Sequence, residues 1–263
     1  MQQWSHAPQA NDDILANPMN PSAAAPLRTE LRRLRLRVAY SEARELIRRQ
    51  QGFAESLFLQ NLLYEHDDFW WQPIVGKRVT LRRRGAQDLE FVRACWSDSE
   101  FMRKFNRLAR PLPLDDAELK RILAREHAGI VSEAKSLHWT IDGSDGPLGF
   151  VSATEFAASH RRCEFLIGFL GQAASMKPVE AAHLAVEFLR IRAKIERLTA
   201  YFYAENSYAA KVAEKFGFRP EGVLKGYIRD PDGRRSDLMV SGLLLIDYAE
   251  SENSKIWARF SKS

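Results

Sequence analysis

Apolar residues recur at helical spacing between positions 27 and 66. Leu27, Leu31, Leu34 and Val38 alternate with arginines, and Phe53, Leu57, Leu62 and Leu63 mark a second stripe. Gly52, suited to the left-handed position after a helix, lies between the stripes and predicts a helical hairpin over residues 27–66. So small a stripe does not fold alone, so the hairpin is expected to dock on the rest of the chain or on another copy of it. The preceding residues, 1–26, hold Pro8, Pro18, Pro21 and Pro26 without periodicity and are expected to be disordered or extended.

The pattern changes after the aromatic run Phe69-Trp70-Trp71 and Pro73. Residues 78–82 alternate as a strand. Residues 88–103 read as one helix, with Leu89, Val92, Cys95 or Trp96, and Met102 on one side. A rigid connector, Arg110-Pro-Leu-Pro-Leu114, precedes Asp115 or Asp116, which caps a helix carrying Leu119, Ile122 and Leu123. Residues 137–141, 148–156 and 163–170 predict three antiparallel strands, the first two joined by a Gly-Ser-Asp-Gly turn. Then come a helix over 178–192 with Pro178 in its first turn, a strand over 198–203, and a helix over 207–216 ended by Gly217. A hairpin, 223–229 with 238–245, closes the series around Asp230-Pro-Asp-Gly233. The order β-α-α-β-β-β-α-β-α-β-β predicts an α+β fold. Its sheet is mixed and mostly antiparallel, flanked by helices, with one parallel crossover between 163–170 and 198–203. The expected organisation is a leader (1–26), a basic helical hairpin (27–72), the main domain (73–250) and a tail (251–263).

Length and charge add two points. A chain of 263 residues can bury one sizeable core and carry an extension. The net charge of +5 is concentrated in residues 28–49, where only Glu30, Glu42 and Glu45 oppose the arginines. That excess fits an acidic partner such as a carrier protein, nucleic acid or anionic lipid, or simply a solvated helix face. Cys95 and Cys163 form neither a disulfide framework nor a metal-ligand spacing, so a reducing compartment and no metal are expected. Neither a signal peptide nor an apolar run of about 20 residues is present, which points to a soluble cytoplasmic protein without a membrane span.

The chemistry concentrates near the C-terminal end of the predicted sheet. Glu205-Asn206, Glu214-Lys215-Phe216-Gly217-Phe218-Arg219, Glu221-Gly222, Asp232-Gly233-Arg234 and Asp237 occur in that order and spacing. With the element order, this resembles the GNAT superfamily of N-acyltransferases over residues 76–248, and within it the branch of bacterial ribosomal-protein N-terminal alanine acetyltransferases. Each piece also has a purely structural use: Gly217 ends a helix, Phe218 fills core, and Glu221-Gly222 turns the chain. The resemblance implies a GNAT fold in which two parallel strands splay, and a pantetheine arm pairs with the exposed backbone of one of them. Carried over to this chain, that strand segment is Gly168, Phe169, Leu170 and Gly171. Asn206 is expected beside the pantetheine or as a helix cap, and Lys211 within reach of the phosphates.

At the loop expected to wrap the pyrophosphate, the family's Gly-x-Gly/Ala pattern is replaced by Gln172-Ala173-Ala174-Ser175-Met176-Lys177. Glycines there let consecutive backbone N–H groups face phosphate oxygens. Gln172, Ala174 and Ser175 are therefore degenerate contacts, with Lys177 supplying charge. The donor is expected to be acyl-CoA or, because phosphopantetheine on an acyl carrier protein lacks the adenosine pyrophosphate, a carrier-linked acyl group docked on the basic hairpin.

Direct transfer needs a base for the acceptor ammonium and an acid for the leaving thiolate. Glu164 shares strand parity with Leu166 and Gly168 and is the first choice for base, with Glu155 second; a surface role paired with Arg161 or Arg162 is the alternative. Many family members supply the acid from a tyrosine after the asparagine. Here Ala213 holds that place and Tyr208 is the substitute, or a packing residue. His138 and His183 are expected in core or surface roles. No serine or cysteine stands in a nucleophile setting. The reading is N-acylation of a small amine or a peptide; the rival is a non-catalytic module of the same fold that binds protein or nucleic acid.

Overall fold

The computed structural model describes residues 68–105, 115–128, 136–171, 176–203, 206–230, 233–252 and 254–255. The chain divides into two units, Met1–Trp70 and Trp71–Ser263. In the first, the short 3-10 turn Asp68–Trp70 is described; the expected leader and basic hairpin lie outside the described residues.

The second unit is built on eight strands: β1 (Ile74–Val75), β2 (Thr80–Arg83), β3 (Leu137–Gly143), β4 (Gly146–Ala157), β5 (Arg162–Phe169), β6 (Arg197–Tyr203), β7 (Arg219–Arg229) and β8 (Arg235–Leu244). They form one sheet in the order β1-β2-β3-β4-β5-β6-β8-β7. All neighbours are antiparallel except β5 and β6. The single parallel pair is joined by a helical crossover, α4 (Lys177–Ile191), as parallel neighbours require.

Helices cover both faces of the middle strands. On one face, α1 (Leu89–Ser97), α2 (Ser99–Phe105) and α3 (Asp116–Ala128) bring Leu89, Val92, Cys95, Phe101, Leu119 and Leu123 around Phe150 of β4. On the other, Phe188 of α4 meets Trp139 of β3 edge-on at 5.4 Å, and Phe165 of β5 stacks on Phe218 beyond α5 (Ser207–Phe216). Among the described residues no helix is long and apolar enough to cross a membrane.

Besides the additional two-residue strand β1 beside β2, the structure departs from the pattern in three places. The expected helix over 88–103 is two helices because Asp98 leaves the helical region (ψ 106°) and its carboxylate accepts the Phe101 N–H at 2.7 Å, capping α2. β7 starts at Arg219, four residues early. As an edge strand it tolerates Pro220, and it is bulged between Pro220 and Gly222 and between Leu224 and Ile228. The apolar run at 238–245 ends as strand at Leu244 and turns into α6 (Leu245–Glu250), where Leu245 and Tyr248, three apart, are the buried pair.

Candidate active site

β5 has two different edges. Toward β4 its ladder runs from Ala157↔Arg162 to Gly149↔Phe169. Toward β6 it holds for three positions only, Arg162↔Arg197, Cys163↔Leu198 and Glu164↔Thr199. β6 meanwhile stays paired with β8 along its whole length, Arg197↔Leu244 to Tyr203↔Leu238. Each strand remains tied to its outer neighbour, and the sheet opens between them from Glu164 onward.

Backbone groups of a strand alternate between its edges, so three contacts fix which ones face the opening. The Leu170 N–H donates to the Leu148 carbonyl at 2.9 Å. A Cβ on Gly149 would collide with the Gly168 carbonyl. The Arg161 carbonyl accepts the Glu196 N–H at 2.7 Å, on the β6 side. Even-numbered residues therefore turn their amides toward β4, and Phe165, Ile167 and Phe169 present theirs to the opening. On the β6 side these three residues thus carry backbone donors and acceptors that no neighbouring strand pairs.

Gly168 is small for another reason. A Cβ there would lie 2.5 Å from the Phe105 ring and 3.1 Å from Phe101, so its absence seats α2 on the sheet. Gly171 has φ +76° and open space around it, ending β5 in a left-handed turn. Residues 172–175, and with them Gln172, Ala174 and Ser175, lie outside the described residues.

Both strands of the open pair lead into helix N-termini, the arrangement in which α/β sheets bind ligands beyond their strand ends. α4 begins at Lys177, preceded by the exposed Met176; its buried Glu180 accepts the Arg78 N–H at 2.9 Å and the Arg78 guanidinium at 3.1 Å. α5 begins after Asn206, whose half-buried side chain makes no capping hydrogen bond although it occupies the cap position. Tyr208 in the first turn is 79% exposed, and Lys211 is exposed one turn on.

Glu164 closes the base of the opening. Its Oε2 accepts the Thr154 hydroxyl at 2.9 Å from the opposite position on β4. Burial raises its pKa; the Thr154 hydrogen bond opposes that shift and the charge of Glu155 adds to it. Glu155 itself is exposed, in a bulge and at φ +51°. Neither carboxylate joins an ion pair among the described residues: Arg161 pairs with Glu196 at 2.6 Å instead. Tyr201, two residues beyond Thr199 on β6, has its pKa raised by burial and by Glu164.

The two histidines are bound into the fold. His138 sits between Ser152 (2.8 Å) and Ser136 (2.9 Å), and burial lowers its pKa well below the usual value. His183 meets the buried Tyr248 hydroxyl at 2.5 Å.

Thr154 escapes sequence reasoning because its importance depends on which residue of β5 lies opposite it. Phe165 and Ile167 were open to discovery from alternation once one edge contact was known.

The Acetyltransferase (GNAT) domain family model matches residues 78–219. Among solved structures, the chain is similar to a spermidine N-acetyltransferase from Vibrio cholerae in complex with CoA and spermine. The likeness has a TM-score of 0.56 and 19% identity, covering 65% of this chain and 98% of that one. It is also similar to an acetyltransferase structure from T. thermophilus, with a TM-score of 0.54 and 21% identity, covering 72% of this chain and 96% of that one. No curated protein sequence matches the chain significantly.

Proposed function

This chain belongs to the acetyltransferase (GNAT) family, and we propose on that premise that it moves an acyl group from a pantetheine thioester to a primary amine within the opening between β5 and β6. One observation carries this reading. The β5–β6 ladder stops at Glu164↔Thr199 while both strands continue. A pantetheine arm has two amides in an extended chain, the pattern that the unpaired edge at Phe165, Ile167 and Phe169 accepts.

In the proposed reaction, Glu164 takes a proton from the acceptor ammonium and the neutral nitrogen attacks the thioester carbon. An N–H on the open β5 edge stabilises the developing oxyanion. The oxyanion then collapses and the C–S bond breaks. The leaving thiolate takes a proton from Tyr208 or from solvent beside it, and the second proton on the nitrogen replaces that one, so that one proton in all stays with Glu164 until solvent removes it. Asn206, whose amide is not used in capping, would hold the arm, and Lys177 and Lys211 would face its phosphate end.

Two donors fit the site chemistry. Acyl-CoA is favoured by the family and by the CoA bound in the Vibrio cholerae structure. An acyl carrier protein is favoured by the absence of glycine from residues 172–175 and by the arginines of 28–49. Two acceptor classes are likewise in view. Polyamines are the substrate named for the structural neighbour, and peptide N-termini belong to the branch whose motifs the chain resembles.

The test is calorimetry and turnover on the full chain. Acetyl-CoA and acyl-loaded carrier protein serve as donors; spermidine and a peptide with N-terminal alanine serve as acceptors. Binding of at least one donor, with N-acylation of an amine, is expected. Binding without turnover would mark a non-catalytic module, and failure of both donors to bind would remove the proposal.

A further inference from the structure

We infer that Thr154 is a positioning residue for this acyl-transfer site: its hydroxyl holds one oxygen of the Glu164 carboxylate and leaves the other available to the incoming amine. The inference rests on the reading of Glu164 as the base. It is carried by the arrangement of three strands. Thr154, Glu164 and Thr199 form one row across β4, β5 and β6. To one side of that row the β4–β5 ladder shifts register, between Thr154 and Ala157. On the other edge of β5 the ladder to β6 ends. Glu164 is thus the last regularly paired residue on both of its edges, and the Thr154 Oγ1 to Glu164 Oε2 bond of 2.9 Å is what fixes its side chain there.

A threonine suits this task. Branching at Cβ restricts χ1, so the hydroxyl stays over the neighbouring strand. The bulge that follows keeps Glu155 in the left-handed region, an uncommon conformation for glutamate, and bulges of this kind re-aim side chains beside active sites. The hydroxyl donates to the ionised form of Glu164 and so favours the carboxylate that must accept the proton. The other charged and titratable groups around it are Glu155 on β4, Arg162 and Cys163 on its own strand, and Tyr201 on β6. α2, which packs on β5, contributes the rings of Phe101 and Phe105 at Gly168.

The experiment compares Thr154→Val, Thr154→Ser and Glu164→Gln. It reads kcat/KM for the acceptor across the neutral pH range, donor affinity by calorimetry, and the melting temperature. Valine keeps the shape and removes the donor. Its acid limb should move to higher pH, with the rate on the acid side falling about tenfold and donor affinity unchanged. Serine should restore the wild-type profile. A Thr154→Val profile that superimposes on wild type, or a serine variant that behaves as valine does, overturns the inference. Glu164→Gln separates the two levels. If it keeps the wild-type acid limb, Glu164 is not the base and Thr154 loses its role with it. If it flattens the limb while Thr154→Val changes nothing, the base stands and this inference alone falls.

Discussion

The two edges of β5 are made from the same eight residues and do opposite things. The β4 edge is laddered from one end to the other with a single bulge, and its one conspicuous glycine, Gly168, makes room for Phe105. The β6 edge is closed for three positions and then open. What differs is the second strand's other attachment: β6 follows β8 over all seven of its residues and cannot follow β5 as well. A site of this kind needs no special sequence on the strand that carries it. It arises from alternation, which gives one strand a structural edge and a chemical edge, and Glu164 sits where the two regimes meet.

The largest expected effect tests that meeting point. Glu164→Gln should lower acceptor turnover about a hundredfold to ten-thousandfold, the usual contribution of a positioned base. Because burial raises the Glu164 pKa and only the ionised form accepts a proton, the wild-type rate should climb with pH through that raised value. The glutamine variant should lose the climb. Rates within a few-fold of wild type at every pH would take Glu164 out of the chemistry and leave the open edge without a base.

Next in size is a direct test of the edges. Leu166→Pro removes an N–H that serves the β4 ladder and puts a ring in its way. About 3 kcal/mol or more should be lost, read as a large drop in melting temperature. Ile167→Pro removes an N–H that faces the opening. It should fold, with Ile167→Ala as the packing control, and bind the thioester donor about tenfold more weakly. Equal destabilisation by both prolines would show that the edges do not differ in kind.

Faces of strands were legible in the sequence; edges were not. Hydrophobic periodicity reports which side of a sheet a residue occupies, so the element order, the parallel crossover and the shared parity of Glu164 and Gly168 could all be read from residues 137–203. Which backbone groups pair depends on the neighbour and the register, and those are set far away, at Leu148 and Glu196. For that reason Gly168 and Leu170, expected on the pantetheine side by resemblance, turn their backbone groups to β4, while Phe169 faces the gap. The Asp98 break was missed for a related reason. A carboxylate can end one helix and cap the next, and spacing alone shows one continuous stripe.

A smaller effect is expected at Asn206, the residue before α5. Replacing an N-cap residue by alanine ordinarily removes about 1 kcal/mol of stability. Here the side chain makes no capping bond, so Asn206→Ala should leave the melting temperature nearly unchanged. Donor affinity should fall about three- to tenfold, as for one lost hydrogen bond. A clear loss of stability with unchanged donor affinity would return Asn206 to the structural side of the comparison.

The smallest effect concerns the stability of the open edge itself. Glu164 has no ion-pair partner among the described residues, and burial raises its pKa from the ordinary carboxylate value. An acid whose folded pKa is raised contributes its full stability below the unfolded value, near 4, and loses it as pH rises through the folded value. The wild-type protein should therefore lose stability between acid and neutral pH in a way that Glu164→Gln does not. Glutamine keeps an acceptor for the Thr154 hydroxyl, so the hydrogen bond is retained. At pH 7 the variant should melt a few degrees higher, an effect held small by the solvent that still reaches the carboxylate. Near pH 4 the two curves should converge. A variant that is less stable than wild type at neutral pH would mean that the Glu164 charge is compensated in the fold, and that the row Thr154–Glu164–Thr199 belongs to the structural edge rather than the chemical one.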